Sequence, residues 1–202
     1  MSAVPMLAGV GLMMVCCSSS SMASMMMGGG EETPAAGAGA AGAGAAAATL
    51  PSGQYVRLEH TVAHDANAPG NDDDKHKILN LAELEVFAPG GTTSLVAGKT
   101  VTGTAIAANY PGANLVDGNM TNFAHTWARD ATVKDEFTVD LGSVQEIEKI
   151  KITNRTSCCK NRAIGVKAVI LGADGTTVVK ETPAISTAAD TYTFTFPGTT
   201  WA

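Results

Sequence analysis

In the segment TYTFTF, Tyr192, Phe194 and Phe196 occupy every second position and threonines the others. A period of two puts the rings on one face of a strand and the hydroxyls on the other. The same alternation recurs at Ile150 and Ile152 among Lys149, Lys151 and Thr153, at Val166, Ala168 and Ile170, and at Val139 and Leu141 around Asp140. Residues 55–59, 78–87 and 99–106 supply further strand candidates. Turn signals separate these runs: Pro89-Gly90-Gly91, Pro111-Gly112, Asp117-Gly118, Asp174-Gly175 and Pro197-Gly198. Asp174-Gly175, set between two apolar runs, predicts a hairpin. No i, i+3, i+4 apolar stripe persists beyond about two turns. The pattern therefore predicts an all-β fold, an antiparallel sandwich or barrel, from about Gln54 to Trp201.

The first quarter of the 202-residue chain follows other rules. Residues 1–17 are apolar and uncharged, shorter than the roughly 20 residues a membrane-spanning helix needs and closer to the core of a signal peptide. No lysine or arginine precedes them. Runs of serine (18–21), methionine (25–27) and glycine (28–30) follow. Residues 33–49 are almost entirely Ala and Gly, too poor in side chain to offset the entropy of ordering, and read as a flexible spacer. Cys16 and Cys17 close the apolar stretch at a place suited to acylation. The expected organisation is a leader at 1–30, a linker at 31–53 and one domain at 54–202. The leader is read either as a disordered tail or as an inserted or cleaved targeting segment.

Net charge is −6, and no basic stripe carries interleaved aromatics, which argues against a nucleic-acid partner. The cysteines come as two adjacent pairs without a C-x-x-C, so a zinc site is not expected. No Ser/His/Asp order or paired carboxylates stand in a recognisable setting, and the chain is read as a binder, not an enzyme.

Three clusters carry chemistry. The first is NRTSCCKNR, residues 154–162. Adjacent cysteines close only a small strained ring. Oxidised, Cys158 and Cys159 would form a rigid apolar plate at a loop tip, flanked by Arg155 and Arg162. Plate and guanidinium forks together suit a sugar, taking its C–H face and its oxygens. The alternative is two buried thiols beside two solvated arginines. The second cluster, NFAHTW, holds His125 and Trp127, each of which is otherwise a structural or rim residue. The third joins Asn114, Asp117 and Asn119 with Glu83, hard oxygen donors around a glycine turn of the kind calcium takes. Its alternative is a turn stabilised by Asx side chains. Asp72-Asp73-Asp74 reads as a solvated charge run, and Asn119-Met-Thr and Asn154-Arg-Thr fit the glycosylation sequon, a pattern common by chance.

From Gly98 to Ile170 the elements GKTVTGTA, ANYPGANLVDGN, FAHTW, DEFTVDLG and IEKIKITNRTSCCKNR resemble F5/8 type C (discoidin-like) domains, and among them the F-type lectin, or fucolectin, branch. The resemblance covers nearly all of residues 54–201. It implies a galactose-binding-like jelly-roll sandwich. It also implies a fucose site of a histidine followed by R-x-D-C-C-x-x-R, with the adjacent cysteines disulfide-bonded against the sugar. On this chain those positions are His125, Arg155, Cys158, Cys159 and Arg162. A structural calcium is implied at main-chain oxygens of Asn114 and Asn119, at Asp117 and at Glu83. Ser157 replaces the family's aspartate, and His125 lies 30 residues before Arg155, a few more than usual. Residues 55–59 and 79–87 resemble the family's last strands yet come first, which implies a circular permutation.

The functional expectation is a calcium-stabilised, fucose-type carbohydrate-binding module for glycan attachment or adhesion. It would be extracellular or surface-exposed, with avidity from many copies. The leader also resembles the hydrophobic starts of structural proteins in large algal DNA viruses, implying a virion or membrane tether. The rival expectation is a structural or minor virion protein that uses the sandwich as a docking unit with a degenerate sugar site.

Overall fold

A computed structural model of the chain describes residues 49–63, 77–127 and 132–198. The leader, the Cys16-Cys17 pair, most of the linker, Asp72 to Asp74 and Trp201 lie outside the described residues.

Nine strands are present among them: β1 (Ser52–His60), β2 (Asn80–Phe87), β3 (Val101–Gly103), β4 (Ala124–His125), β5 (Glu136–Glu146), β6 (Lys149–Asn154), β7 (Val166–Leu171), β8 (Val178–Glu181) and β9 (Thr191–Thr195). They form a sheet in the order β3-β5-β1-β7-β8 and a second in the order β4-β2-β6-β9. Every pairing is antiparallel.

Alternation determines which face goes inward. Val56 and Leu58 of β1, Phe137 and Val139 of β5, and Val166, Ala168 and Ile170 of β7 are fully buried. Across the core they join Leu84 and Val86 of β2, Ile150 and Ile152 of β6, and Tyr192 and Phe194 of β9 in one cluster. This is the predicted β-sandwich. Burying a side chain such as Phe137 or Leu58 contributes about 1.5–3 kcal/mol. The pairing of Val56 with Val139 and Ile170, and of Leu58 with Phe137 and Ala168, therefore fixes the register. A slip of one residue would turn the apolar set outward.

The predicted hairpin joins β7 to β8: Gly172 N–H donates to the Thr177 carbonyl at 2.8 Å, and Asp174 accepts from the amides of Thr176 and Thr177. Gly175 takes φ +69°, as such a turn requires. The run 99–106 forms only the short β3, because Gly103 lies against the Glu136 carbonyl and a turn follows with Ala105 at φ +44°.

Strand polarity gathers one set of loops at one end. His60 closes β1 opposite Val166, and His125 and Asn154 pair with Asn80 and Leu81 at the start of β2. Thr126 ties the two sheets there. Its backbone pairs with Leu79, its hydroxyl accepts the Leu79 amide at 2.9 Å, and the same hydroxyl donates to the buried Asp135 just before β5. Ser52, the start of β1, lies at the other end, roughly 26 Å away for nine residues of strand.

Candidate functional site

The loop after β6 is held by a residue whose role the sequence concealed. Asn154 is 0 % exposed. Its amide donates to the carbonyls of Lys160 (3.0 Å) and Ala189 (2.9 Å), and its Oδ1 accepts from Arg155 N–H at 2.9 Å. Tyr192, at the base, donates to the Thr187 carbonyl and accepts from Ala189 N–H. The sequon reading of Asn154 thus gives way to a buried clamp, with no exposed amide to carry a glycan.

On this clamp the chain turns through Ser157 and the cysteines. Cys158 and Cys159 are disulfide-bonded, Cys158 exposed and Cys159 partly so. The pair is therefore not two buried thiols. Cys159 sits in the left-handed region at φ +63°, unusual for a residue with a side chain, and caps a 3-10 turn over Lys160–Ala163. Lys160 is ion-paired with Asp190. Arg155 and Arg162 flank the disulfide along the chain, both half-buried. Arg155 Nε donates to Ser157 Oγ at 2.8 Å, so the serine meets the guanidinium at the position where the sequence pattern suggested an aspartate.

The Arg155 guanidinium lies over the Phe123 ring, 3.9 Å from its centroid. Phe123 in turn stacks on Tyr110, with centroids 4.4 Å apart and planes at 19°. His125 is edge-on to both, 5.8 Å from Tyr110 and 6.4 Å from Phe123, and 5.1 Å from Trp127. His125 is itself only 4 % exposed, its Nδ1 2.8 Å from the Asn80 amide. The fold thus brings His125, Arg155 and the disulfide loop to one end of the sandwich, with His125 as a buried hub beneath the rings. Tyr110 was not singled out in the sequence, and Phe123 only as a member of NFAHTW, since neither lies near Arg155 along the chain.

Beneath the same loop is His60, 1 % exposed. Burial lowers its pKa from 6.5 to about 4, with nearby backbone of Ile78 and Arg162 offsetting the shift only in part.

The acidic cluster lies on the flank of the second sheet. Glu83 of β2 accepts from Gly118 N–H at 3.1 Å. Asp117 accepts from Asn119 N–H at 2.8 Å and from the Asn122 amide at 2.7 Å, while Asn114 donates to the Phe123 carbonyl. These bonds build the Asx turn. They also leave a cleft lined by Glu83, Glu85, Asp117 and the backbone at Gly98 and Gly118. Burial, and then the neighbouring carboxylates of Asp117 and Glu85, push Glu83 up to about 7 against the Gly118 amide. A buried carboxylate so placed fits a hard cation, which would compensate its charge. Among the described residues no three His, Cys, Asp or Glu side chains converge on one point, so a cation here would draw on main-chain and amide oxygens as well.

Residues 114–202 match the family model described as NedA-like, galactose-binding domain, of the F5/8 type C group. No curated protein and no solved structure matches the chain.

Proposed function

We propose that the chain, whose residues 114–202 match the F5/8 type C, galactose-binding-like family model, a family of typically non-catalytic binding modules, is a carbohydrate-binding module of the fucose-recognising, F-type lectin kind. One observation carries this reading: an exposed disulfide of adjacent cysteines, rigidly mounted between Arg155 and Arg162 at the tip of the Asn154-clamped loop. A vicinal disulfide offers a flat apolar face, and two guanidinium groups offer directed donors. A deoxy sugar has both an apolar C–H face and ring and hydroxyl oxygens. Arg155, Arg162, Cys158 and Cys159 touch it, and His125 packs behind them against Tyr110, Phe123 and Trp127.

Calcium belongs to this reading as a structural ion. Glu83 and Asp117, with main-chain oxygens of Asn114 and Asn119, would hold it. Bound there, it supplies charge compensation for Glu83, and the loop around Asp117 is clipped to β2. That loop leads into Phe123 and His125, so its rigidity bears on the sugar site.

A circularly permuted strand order is part of the same proposal. The family match begins at residue 114 and leaves out β1, β2 and β3. β1 and β2 nevertheless lie inside their sheets, and Leu50, Pro51, Phe196 and Pro197 line a common cleft, so the two ends of the domain adjoin. The chain enters at Ser52, opposite the arginine loop. A tether through the leader, on a membrane or virion, would present the sugar site outward. One site per copy binds a monosaccharide weakly, and clustering of copies supplies avidity.

The test is a glycan array probed with the full chain in calcium. Fucose-inhibitable binding that disappears in Arg155→Ala is expected. No glycan bound by a folded wild-type chain would overturn the reading in favour of a docking unit with a degenerate site.

A further inference from the structure

The N-x-T pattern of asparagine glycosylation occurs at Asn119 and at Asn154, and the fold gives the two opposite chemistry. Asn154 is buried, and its carboxamide nitrogen donates to the carbonyls of both Lys160 and Ala189. That nitrogen carries two protons, so a sugar on it would cost one of these bonds and the loop clamp could not form. Asn119 stands at the surface, in the turn just after Gly118, with Asp117 and Thr121 exposed beside it. Its Oδ1 accepts from Thr121 N–H at 3.0 Å and from the Thr121 hydroxyl at 2.7 Å. Its backbone N–H donates to Asp117 at 2.8 Å. The carboxamide is thus held by its oxygen alone, and its nitrogen donates to no partner among the described residues.

We propose that Asn119 is an N-glycosylation site and that Asn154 is not. The chain is the acceptor, and the donor is an oligosaccharide carried on a polyprenol diphosphate and delivered by an oligosaccharyltransferase. Asn119 Nδ2 attacks the anomeric carbon of the donor. The new N–C bond forms as the bond from that carbon to the phosphate oxygen breaks. The diphosphate leaves with the electron pair, and one Nδ2 proton passes to a base of the transferase. The bonds that Asn119 makes use its oxygen and its backbone, so the modified residue keeps them. The Cys158–Cys159 disulfide supports the site independently, because disulfides persist in the oxidising compartments of secretion, where asparagine is glycosylated. Glycosylation here goes beyond the sugar-binding reading and does not depend on it. A calcium ion would use only the main-chain oxygen of Asn119, which leaves the side chain to carry a bulky, solubilising group.

The experiment purifies the full chain from the cells that make it and weighs its peptides with and without peptide-N-glycosidase in heavy-oxygen water, which turns a glycosylated asparagine into labelled aspartate. A glycan-bearing peptide around Asn119 is expected, converted by the enzyme to labelled aspartate at that position, with Asn154 unmodified. Expressed in the same cells, Asn119→Gln and Thr121→Ala are expected to lose the glycan completely and Thr121→Ser to keep it. A bare Asn119 in the wild-type chain overturns the proposal and leaves the reading of the arginine loop untouched. A glycan found on Asn154, or one that survives in Asn119→Gln, overturns it as well.

Discussion

The guanidinium of Arg155 lies 3.9 Å from the centroid of Phe123, and its Nε donates to Ser157 at 2.8 Å. The arginine is oriented from two sides, by a ring and by a neutral hydroxyl. A hydrogen bond to a carboxylate is roughly twice as strong as one between neutral groups. Ser157→Asp is therefore expected to fix the guanidinium more firmly and to raise fucose affinity a few-fold in calorimetric titration. Unchanged or weaker binding would show that the serine already orients Arg155 as well as an acid could.

Removing the clamp should loosen the loop and the fold together. Asn154→Ala leaves the carbonyls of Lys160 and Ala189 without their donor in a buried place. The expected loss is about 1–3 kcal/mol. In a domain of this size that lowers Tm by about 2–4 °C per kcal/mol, and sugar binding should fall with it. A thermal melt checks the first effect and a titration the second.

Calcium should raise the melting temperature. At a hundredfold excess over Kd, binding to the folded state alone contributes about 2.7 kcal/mol, or about 5–10 °C. Glu83→Gln removes the charged ligand and should abolish most of that rise. Without calcium the same variant should be no less stable than wild type, because the buried carboxylate it replaces is disfavoured by burial and by Asp117 and Glu85. A Glu83→Gln chain that keeps the full calcium shift would place the ion elsewhere.

The pH dependence separates His60 from Glu83. The folded state lowers the His60 pKa from 6.5 to about 4, so folding favours the neutral ring. Stability is then full above pH 6.5, falls as pH drops toward 4, and levels off below, with a total of about 3 kcal/mol. Glu83 has a raised pKa and acts in the opposite sense between about 4.5 and 7. The difference between wild type and His60→Phe cancels the Glu83 contribution and should isolate the histidine. Chemical denaturation at pH 7.5 and pH 4.5 checks it. A difference that does not change with pH would mean that His60 titrates normally.

How much of this was legible depends on the range of each signal. The core was legible, because strand alternation is local: Val139 with Leu141, Ile150 with Ile152 and Tyr192 with Phe194 read inward in sequence and lie inward in the fold. The disulfide loop was legible as a motif, because its residues are contiguous. β4 was not, since two residues carry no period, and β8 was obscured because Val178 and Val179 are both exposed. The Arg155–Phe123–Tyr110 stack joins three separate segments, brought together by the β2–β4 and β2–β6 pairings and by the backbone bonds of Tyr110 and Ala107 to His125. Burial of His60 and the clamp of Asn154 arise in the same way, from neighbours distant in sequence.

The most direct test of the central claim is a crystal structure of the full chain grown with calcium and L-fucose. The sugar is expected against the Cys158–Cys159 disulfide, with hydrogen bonds from Arg155 and Arg162. A sugar bound elsewhere, or an arginine loop buried against another copy with no sugar on it, would contradict it.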